Sequence, residues 1–358
     1  MNHITQHNRI DSITPYAPEL ATQGAHSIGV RTSMITLEGQ PDVAAGVQGG
    51  ALRTLPLEIW YPAPAGTPPG GTYDALLRCG EQRATLHGHA LRDAPAAAGF
   101  TAPLIMISHG YPGSRYLWVQ RAERLARQGY VVAACDHAGS TYDAMDAFGI
   151  TLLHRPLDQL GVVDAMAALD GDLGTLTDCR RVGVIGYSMG ARMALHTALQ
   201  YPHKVSALVL ISGTAGIRDN DERTARRLSD IELATHIQEL GVPAFIDEWL
   251  SQPLFAGLNS VTNQRADRLR NHAVGLADSL RFAGTGTQEP LWDQLHMLTM
   301  PVLLMCGTKD TKFHTIATEM GASIPNSTCV AIDGAGHTVH LEQPERFAEE
   351  LLRFTAST

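Results

Sequence analysis

Residues 181–192 read RVGVIGYSMGAR. Val182, Val184 and Ile185 predict a buried strand, and the MALHTALQ that follows Gly190 and its two neighbours predicts a helix. Between them Gly186 and Gly190 flank Ser188 at i−2 and i+2, giving G-x-S-x-G. In that pattern the chain turns so tightly that side chains at the flanking positions would collide. The serine is then forced into a strained backbone, with its hydroxyl thrust out above the sheet. G-x-S-x-G alone also arises by chance as a glycine-softened turn. A strand before it and a helix after it are what give it chemical meaning.

A serine hydroxyl is a weak nucleophile at neutral pH unless a base takes its proton, and that base needs a carboxylate to hold its tautomer. In open parallel sheets reactive groups gather beyond the carboxyl ends of the strands. Downstream of Ser188, VLLMCGTKD puts Asp310 just past one strand end, and CVAIDGAGHTVH puts His337 in a glycine-rich loop past the next. The order Ser188, Asp310, His337 is the one a triad on this topology needs. The chain holds 16 histidines, so His314 and His340 compete with His337 as structural or functional residues. Asp333 competes with Asp310, although its IDGAG context suits a loop-shaping role. The oxyanion formed on attack at a carbonyl needs donors. Met189 N–H, at a helix start, is one candidate. Tyr111 N–H, in the loop ISHGYPGS after an earlier strand, is the other, against the plainer reading of a Gly-Pro turn.

The rest of the chain fits a globular enzyme. Of its 358 residues, 44% are hydrophobic and 18% charged, enough for a substantial core. A net charge of −9 argues against nucleic acid or an anionic membrane as the main partner. The five cysteines are scattered with no C-x-x-C, which suits a reducing compartment. The start MNHITQHNRIDSITPY lacks a signal-peptide core, and no apolar run reaches the ~18 residues of a membrane span, so a soluble cytoplasmic protein is expected. His87/His89 and His337/His340 sit in no metal motif, and neither G-x-G-x-x-G nor a P-loop occurs, so neither metal nor cofactor is expected. The partner is a small-molecule substrate; the oligomeric state is left open.

Residues 1–50 are loosely patterned and are read as an N-terminal extension. Strand and helix patterns then alternate through LPLEIWYPA, APLIMISHG, YLWVQRAERLARQG, YVVAACDH, PLDQLGVVDAMAALDG and VSALVLIS, which predicts a parallel sheet covered on both faces. Residues 215–298 carry helical spacing only, and strands return at MPVLLMCG and STCVAID. The expected division is a core of residues 51–214 and 299–358 with a helical lid, or cap, at 215–298.

With these residues in place, the chain resembles the α/β-hydrolase superfamily over about residues 50–356. LPLEIWYPA, SHGYPGSRYLW and YVVAACDHAGSTY are similar to esterases of the dienelactone-hydrolase and platelet-activating-factor-acetylhydrolase kind. From GYSMGAR to AGHTVHLEQP it resembles 2-succinyl-6-hydroxy-2,4-cyclohexadiene-1-carboxylate synthase, through DNDERTARR, FIDEW, PLF, RLRNHAVGLADSLRFAGTGTQEPLW and KDTKF. The resemblance implies an α/β-hydrolase fold: a mostly parallel sheet, helices on both faces and a lid after the sixth strand. In the synthase family the triad acts as a base that drives loss of pyruvate, and arginines grip the substrate's carboxylates. Carried over, these are Arg192, Arg226 and Arg270, with Tyr187 and Trp249 lining the pocket. Arg192 also lies one helical turn beyond Ser188, and a guanidinium fork matches a carboxylate. Against this, each arginine could be a surface residue and Trp249 a plain lid-core residue. The synthases lack the first hundred residues found here, and their GYSMGGR is GYSMGAR in this chain.

The expected activity is serine hydrolysis of an ester or related acyl bond, in a small to medium substrate that can bear a carboxylate. Elimination of pyruvate, with the triad as base, is the alternative. A third reading is a non-catalytic binding protein on the same scaffold, as hydrolase-fold hormone receptors are.

Overall fold

Five short runs of the chain are apolar at nearly every position, which is what a strand needs when both of its faces are covered. The computed structural model describes residues 24–42, 47–76, 83–109, 113–144, 148–252, 265–269 and 273–358. Its strands are β1 (Ser27–Asp42), β2 (Val47–Ala63), β3 (Thr72–Leu76), β4 (Arg83–His87), β5 (Leu91–Arg92), β6 (Ala102–Ile107), β7 (Val131–Cys135), β8 (Thr177–Tyr187), β9 (Ala207–Ile211), β10 (Val302–Gly307) and β11 (Ser327–Ile332). The main sheet runs β11-β10-β9-β8-β6-β7-β2-β1-β5, and β3-β4 form a separate hairpin. The pairings of β2 with β1 and β7 are antiparallel and the others in the main sheet are parallel.

Period-two alternation sorts the strand residues onto two faces. Leu104, Met106, Val182, Val184, Leu208, Leu210, Val302 and Leu304 pack under the helices Phe148–Ala167, Met189–Gln200 and Thr311–Ser323. Ile105, Ile107, Ile185, Val209, Ile211, Leu303 and Met305 pack under the helices Val119–Arg127 and Pro344–Ser357. Each such side chain, removed from water, contributes about 1.5–3 kcal/mol.

The stretch before residue 50 departs from the sequence expectation. β1 lies in the main sheet beside β2, so residues 27–42 are part of the core and the boundary at residue 50 cuts through β2. Its pattern hides this. Ile28 and Val30 are buried on one face, whereas Ile35 and Leu37, of opposite parity, are buried on the other. No single alternation therefore runs through the strand. The helix expected to begin near Pro156 also starts earlier, at Phe148, with Pro156 inside it. Proline removes one helical N–H bond there, and its neighbours are tied down by His154 Nε2 to Pro41 O at 3.1 Å and by Arg155 Nη1 to His109 O at 2.5 Å.

Helices Asn220–Leu240, Val242–Leu250, Arg265–Arg268 and Ala273–Ala283 lie between β9 and β10. β9 is the sixth strand of the main sheet once the two-residue β5 is set aside. Asp219 caps the first helix, accepting from Glu222 N at 2.8 Å. Ile237, Phe245 and Ile246 form a small apolar cluster of their own, joined by Trp249, Leu276 and Leu280. No helix among the described residues is long and apolar enough to cross a membrane.

Leu37 packs so closely on Gly161 that a β carbon there would sit 2.4 Å from Leu37 Cδ2. Leu37→Ala should cost about 2–4 kcal/mol of unfolding free energy. Exposed Met34→Ala, on the same strand, should cost under about 0.5 kcal/mol. Urea midpoints decide, and equal effects would deny β1 its place in the core.

Candidate active site

β8 ends at Tyr187, and Ser188 follows with φ 52° and ψ −111°, a left-handed conformation that costs a serine energy. The turn exists because Gly186 has no side chain: a β carbon there would lie 2.4 Å from Gly190 O. Ser188 N donates to Ile211 O at 2.8 Å, tying the turn to the end of β9. Met189 opens the next helix, where the first N–H groups have no intrahelical acceptor. Gly213 serves the same corner, since a β carbon on it would meet Ala191 Cβ at 2.6 Å.

Asp310 and His337 arrive on two neighbouring loops. Lys309 N donates to Ala335 O at 2.9 Å, and Gly307 lets the loops close, because its β carbon would meet Ala335 O at 2.2 Å. Asp310 is buried and caps the helix Thr311–Ser323 through Oδ1, which accepts from Phe313 N at 3.4 Å. Its Oδ2 faces His337 Nδ1 at 2.7 Å. A carboxylate only accepts, so this contact places the His337 proton on Nδ1 and leaves Nε2 free to accept. Nε2 lies 3.4 Å from Ser188 Oγ. The geometry is that of a serine whose proton has a base in reach and whose base has a carboxylate behind it.

The competitors fall elsewhere. Asp333 is exposed and accepts from Thr308 Oγ1 at 3.4 Å. His314 is exposed on its helix. His340 is buried, stacks on Trp118 at 5.2 Å and accepts from Arg121 through its carbonyl. Burial, with Arg121 and His337 adding to it, holds its imidazole well below the ordinary value, so it stays neutral.

Tyr187 packs against both His337 and His340, with ring centroids 5.8 and 4.6 Å apart. Burial first, then the charge of Glu342, pushes its hydroxyl above the usual tyrosine range, while Arg268 acts the other way. Arg268 thus places its charge near Tyr187. Arg192 is buried on the helix after Ser188, and Arg226 donates to Asp230 Oδ1 at 2.8 Å. Arg192 is lowered to about 10, by burial first and by Arg226 second, with Asp230 opposing. Trp249 packs against Phe245, ring centroids 5.6 Å apart and tilted by 32°, in the cluster of the inserted helices. Tyr111 and Arg270 lie outside the described residues.

A second Ser/His/Asp array, unseen in the sequence, lies beneath the site. Ser108 Oγ is 2.9 Å from His137 Nε2, His137 Nδ1 is 3.0 Å from Asp158 Oδ2, and Arg53 Nε donates to Asp158 Oδ1 at 2.7 Å. His137 and Asp158 are both 0% exposed, so no substrate reaches them. Buried Arg155 adds to it, donating to His109 O and to the Ser140 hydroxyl, while Ser140 O accepts from Gly113 N. The partners sit up to 105 residues apart, which no local motif reveals.

With this geometry in view, the comparisons agree on its class. The family described as the alpha/beta hydrolase fold matches residues 103–344, and the chain belongs to that family. A Bacillus subtilis (strain 168) protein, provisionally named 2-succinyl-6-hydroxy-2,4-cyclohexadiene-1-carboxylate synthase, is 34% identical over 258 residues, spanning 71% of this chain and 90% of the relative. The Salmonella typhimurium (strain LT2) enzyme of that name is 28% identical, spanning 70% and 92%. Among solved structures, MenH from S. aureus superposes with a TM-score of 0.60 at 27% identity, covering 74% of this chain and 96% of that one. A Thermogutta terrifontis esterase, at 18% identity and a TM-score of 0.56 over 91% of this chain, shares the fold.

Burial first, then Arg155 and Arg53, holds the His137 imidazole well below its ordinary 6.5, while burial raises Asp158 to about 6 against the pull of Arg53. His137 is therefore neutral and Asp158 ionised at neutral pH. Nitrogen-15 spectra of histidine-labelled protein should show His137 as an unprotonated Nδ1–H tautomer at about pH 6. The unfolded chain takes up that proton and the folded one does not, so the contribution of His137 to stability falls as pH drops below 6.5. Asp158 contributes in the opposite sense below about 6. A His137 ring protonated at about pH 6 in the folded protein would overturn this assignment.

Proposed function

We propose that this chain eliminates pyruvate from a carboxylate-bearing precursor, the chemistry of the 2-succinyl-6-hydroxy-2,4-cyclohexadiene-1-carboxylate synthases it is similar to. The observation that carries the proposal is a buried cation, Arg192, one helical turn from Ser188, with the charge of Arg226 close enough to depress it. A guanidinium at that place suits a substrate carboxylate, whose two oxygens match its fork of N–H donors.

In this reading Ser188 and His337 form the base. A proton leaves a substrate carbon for the Ser188–His337 pair, and Asp310 stabilises the imidazolium that results. The electron pair left behind expels pyruvate as its enolate, which regains a proton. The step is redox-neutral, consumes no water and forms no acyl-enzyme. The Met189 and Tyr111 N–H groups receive the negative charge that develops on a substrate oxygen. Arg192, Arg226 and Arg270 hold the carboxylates, Tyr187 and Trp249 line the pocket, and residues 215–298 act as its cap over a core that includes β1.

A second reading, serine hydrolysis, is favoured by the backbone at Ser188: a strained φ of 52° and a base at 3.4 Å suit a nucleophile as well as a base partner.

Pyruvate release from the synthase substrate, followed by NADH oxidation with lactate dehydrogenase, tests the first reading. A p-nitrophenyl ester series tests the second. Ser188→Ala should lower the true activity by about 10³-fold or more. Arg192→Ala and Arg226→Ala should each lower kcat/KM for the anionic substrate by about 10–100-fold, the loss of a charge-assisted hydrogen bond. Ester turnover without pyruvate release would reverse the order of the readings. Ligand binding without turnover, undiminished in Ser188→Ala, would favour a binding protein over both.

A further inference from the structure

The loop that carries His337 is held by one carboxylate from the short helix that follows it. Glu342 Oε2 accepts from Gly336 N at 2.8 Å. Its Oε1 accepts from Thr338 N at 3.1 Å and from Thr338 Oγ1 at 2.7 Å. The amides on either side of His337 thus end on a single side chain, and Glu342 N returns a bond to Thr338 O at 3.0 Å. Gly336 is small for this reason: a β carbon there would lie 3.1 Å from both oxygens of Glu342. On the carbonyl side, His337 O accepts from Ser212 Oγ at 3.1 Å. Ser212 is itself held at φ 47°, just past the end of β9.

We propose that Glu342 is the positioning residue of this site, with Ser212 as its counterpart on the carbonyl side. Asp310 fixes the rotation of the His337 ring, and Glu342 fixes where its backbone stands. Both are needed, because Nε2 reaches Ser188 Oγ at 3.4 Å, the far end of hydrogen-bond distance. A loop drift of about 1 Å would break the contact, a displacement that costs on the order of 100-fold in rate. A carboxylate suits the task because it accepts from three donors and donates to none. Glutamine at the same place turns an N–H₂ toward one of the two amides and loses that bond.

This inference rests on the reading of Ser188, His337 and Asp310 as the reacting groups, and its test separates the two. Two readouts suffice: the rate at which a fluorophosphonate labels Ser188, and the downfield proton resonance of His337 Nδ1–H against Asp310. Glu342→Ala should slow labelling by about 30–100-fold and broaden or shift the resonance. Glu342→Gln should fall between it and wild type. On the anionic substrate of the synthase the loss should appear in kcat with KM nearly unchanged, since the pocket arginines are untouched. Should Glu342→Ala fail to fold, the isosteric Glu342→Gln carries the same two measurements. Wild-type labelling and an unmoved resonance in a folded variant would overturn the proposal. A wild-type enzyme that is not labelled but still shows the resonance would count against Ser188 as a nucleophile, and the resonance, with kcat for pyruvate release, would then judge Glu342.

Discussion

At Ser188 the chain leaves a parallel strand and enters a helix with the backbone at φ 52°, and Gly186 makes room for it, since Gly190 O would lie 2.4 Å from a β carbon there. Much of the site is arranged around that corner. Ile211 O accepts the Ser188 amide, so β9 must end beside it, and Ser212 then turns back to hold His337 O. Gly307 lets the Asp310 and His337 loops pass within bonding distance. The sheet supplies rigidity through two buried faces, and the strained residues cluster where the strands stop.

Two charge environments divide the labour. His337 is held by two carboxylates, Asp310 on the ring and Glu342 on the flanking amides. On the helix face beyond Ser188 the balance is cationic, and Asp230 engages Arg226 while Arg192 stays buried beside them. A substrate with a carboxylate at one end and a labile proton at the other would match both. The buried polar network of Arg53, Ser108, His137, Asp158 and Arg155 ties the ends of β6 and β7 to the helix Phe148–Ala167.

The strand series, the elbow and the order of Ser188, Asp310 and His337 were legible in the sequence because each is local: a run of apolar residues, a pair of glycines, a polar residue just past a strand. β1 was not, because its buried residues change parity between Val30 and Ile35. Glu342 and Ser212 were not, because what they do depends on backbone groups of a loop that only the fold brings near. Arg268 was not, because its place in the lid sequence says nothing of how near its charge comes to Tyr187. The buried Ser108–His137–Asp158 array has the residue types of a triad and differs only in burial, a property no spacing rule records.

Ala191 and Gly213 share a space that holds one methyl group, since a β carbon at residue 213 would come within 2.6 Å of the one at 191. The two positions are therefore not independent. While position 191 is occupied by alanine, residue 213 is confined to glycine. A glycine at 191 would release that constraint. A side chain at 213 is therefore gained only in a chain that also gives up the methyl group at 191, an ordering that governs how this corner can be redesigned.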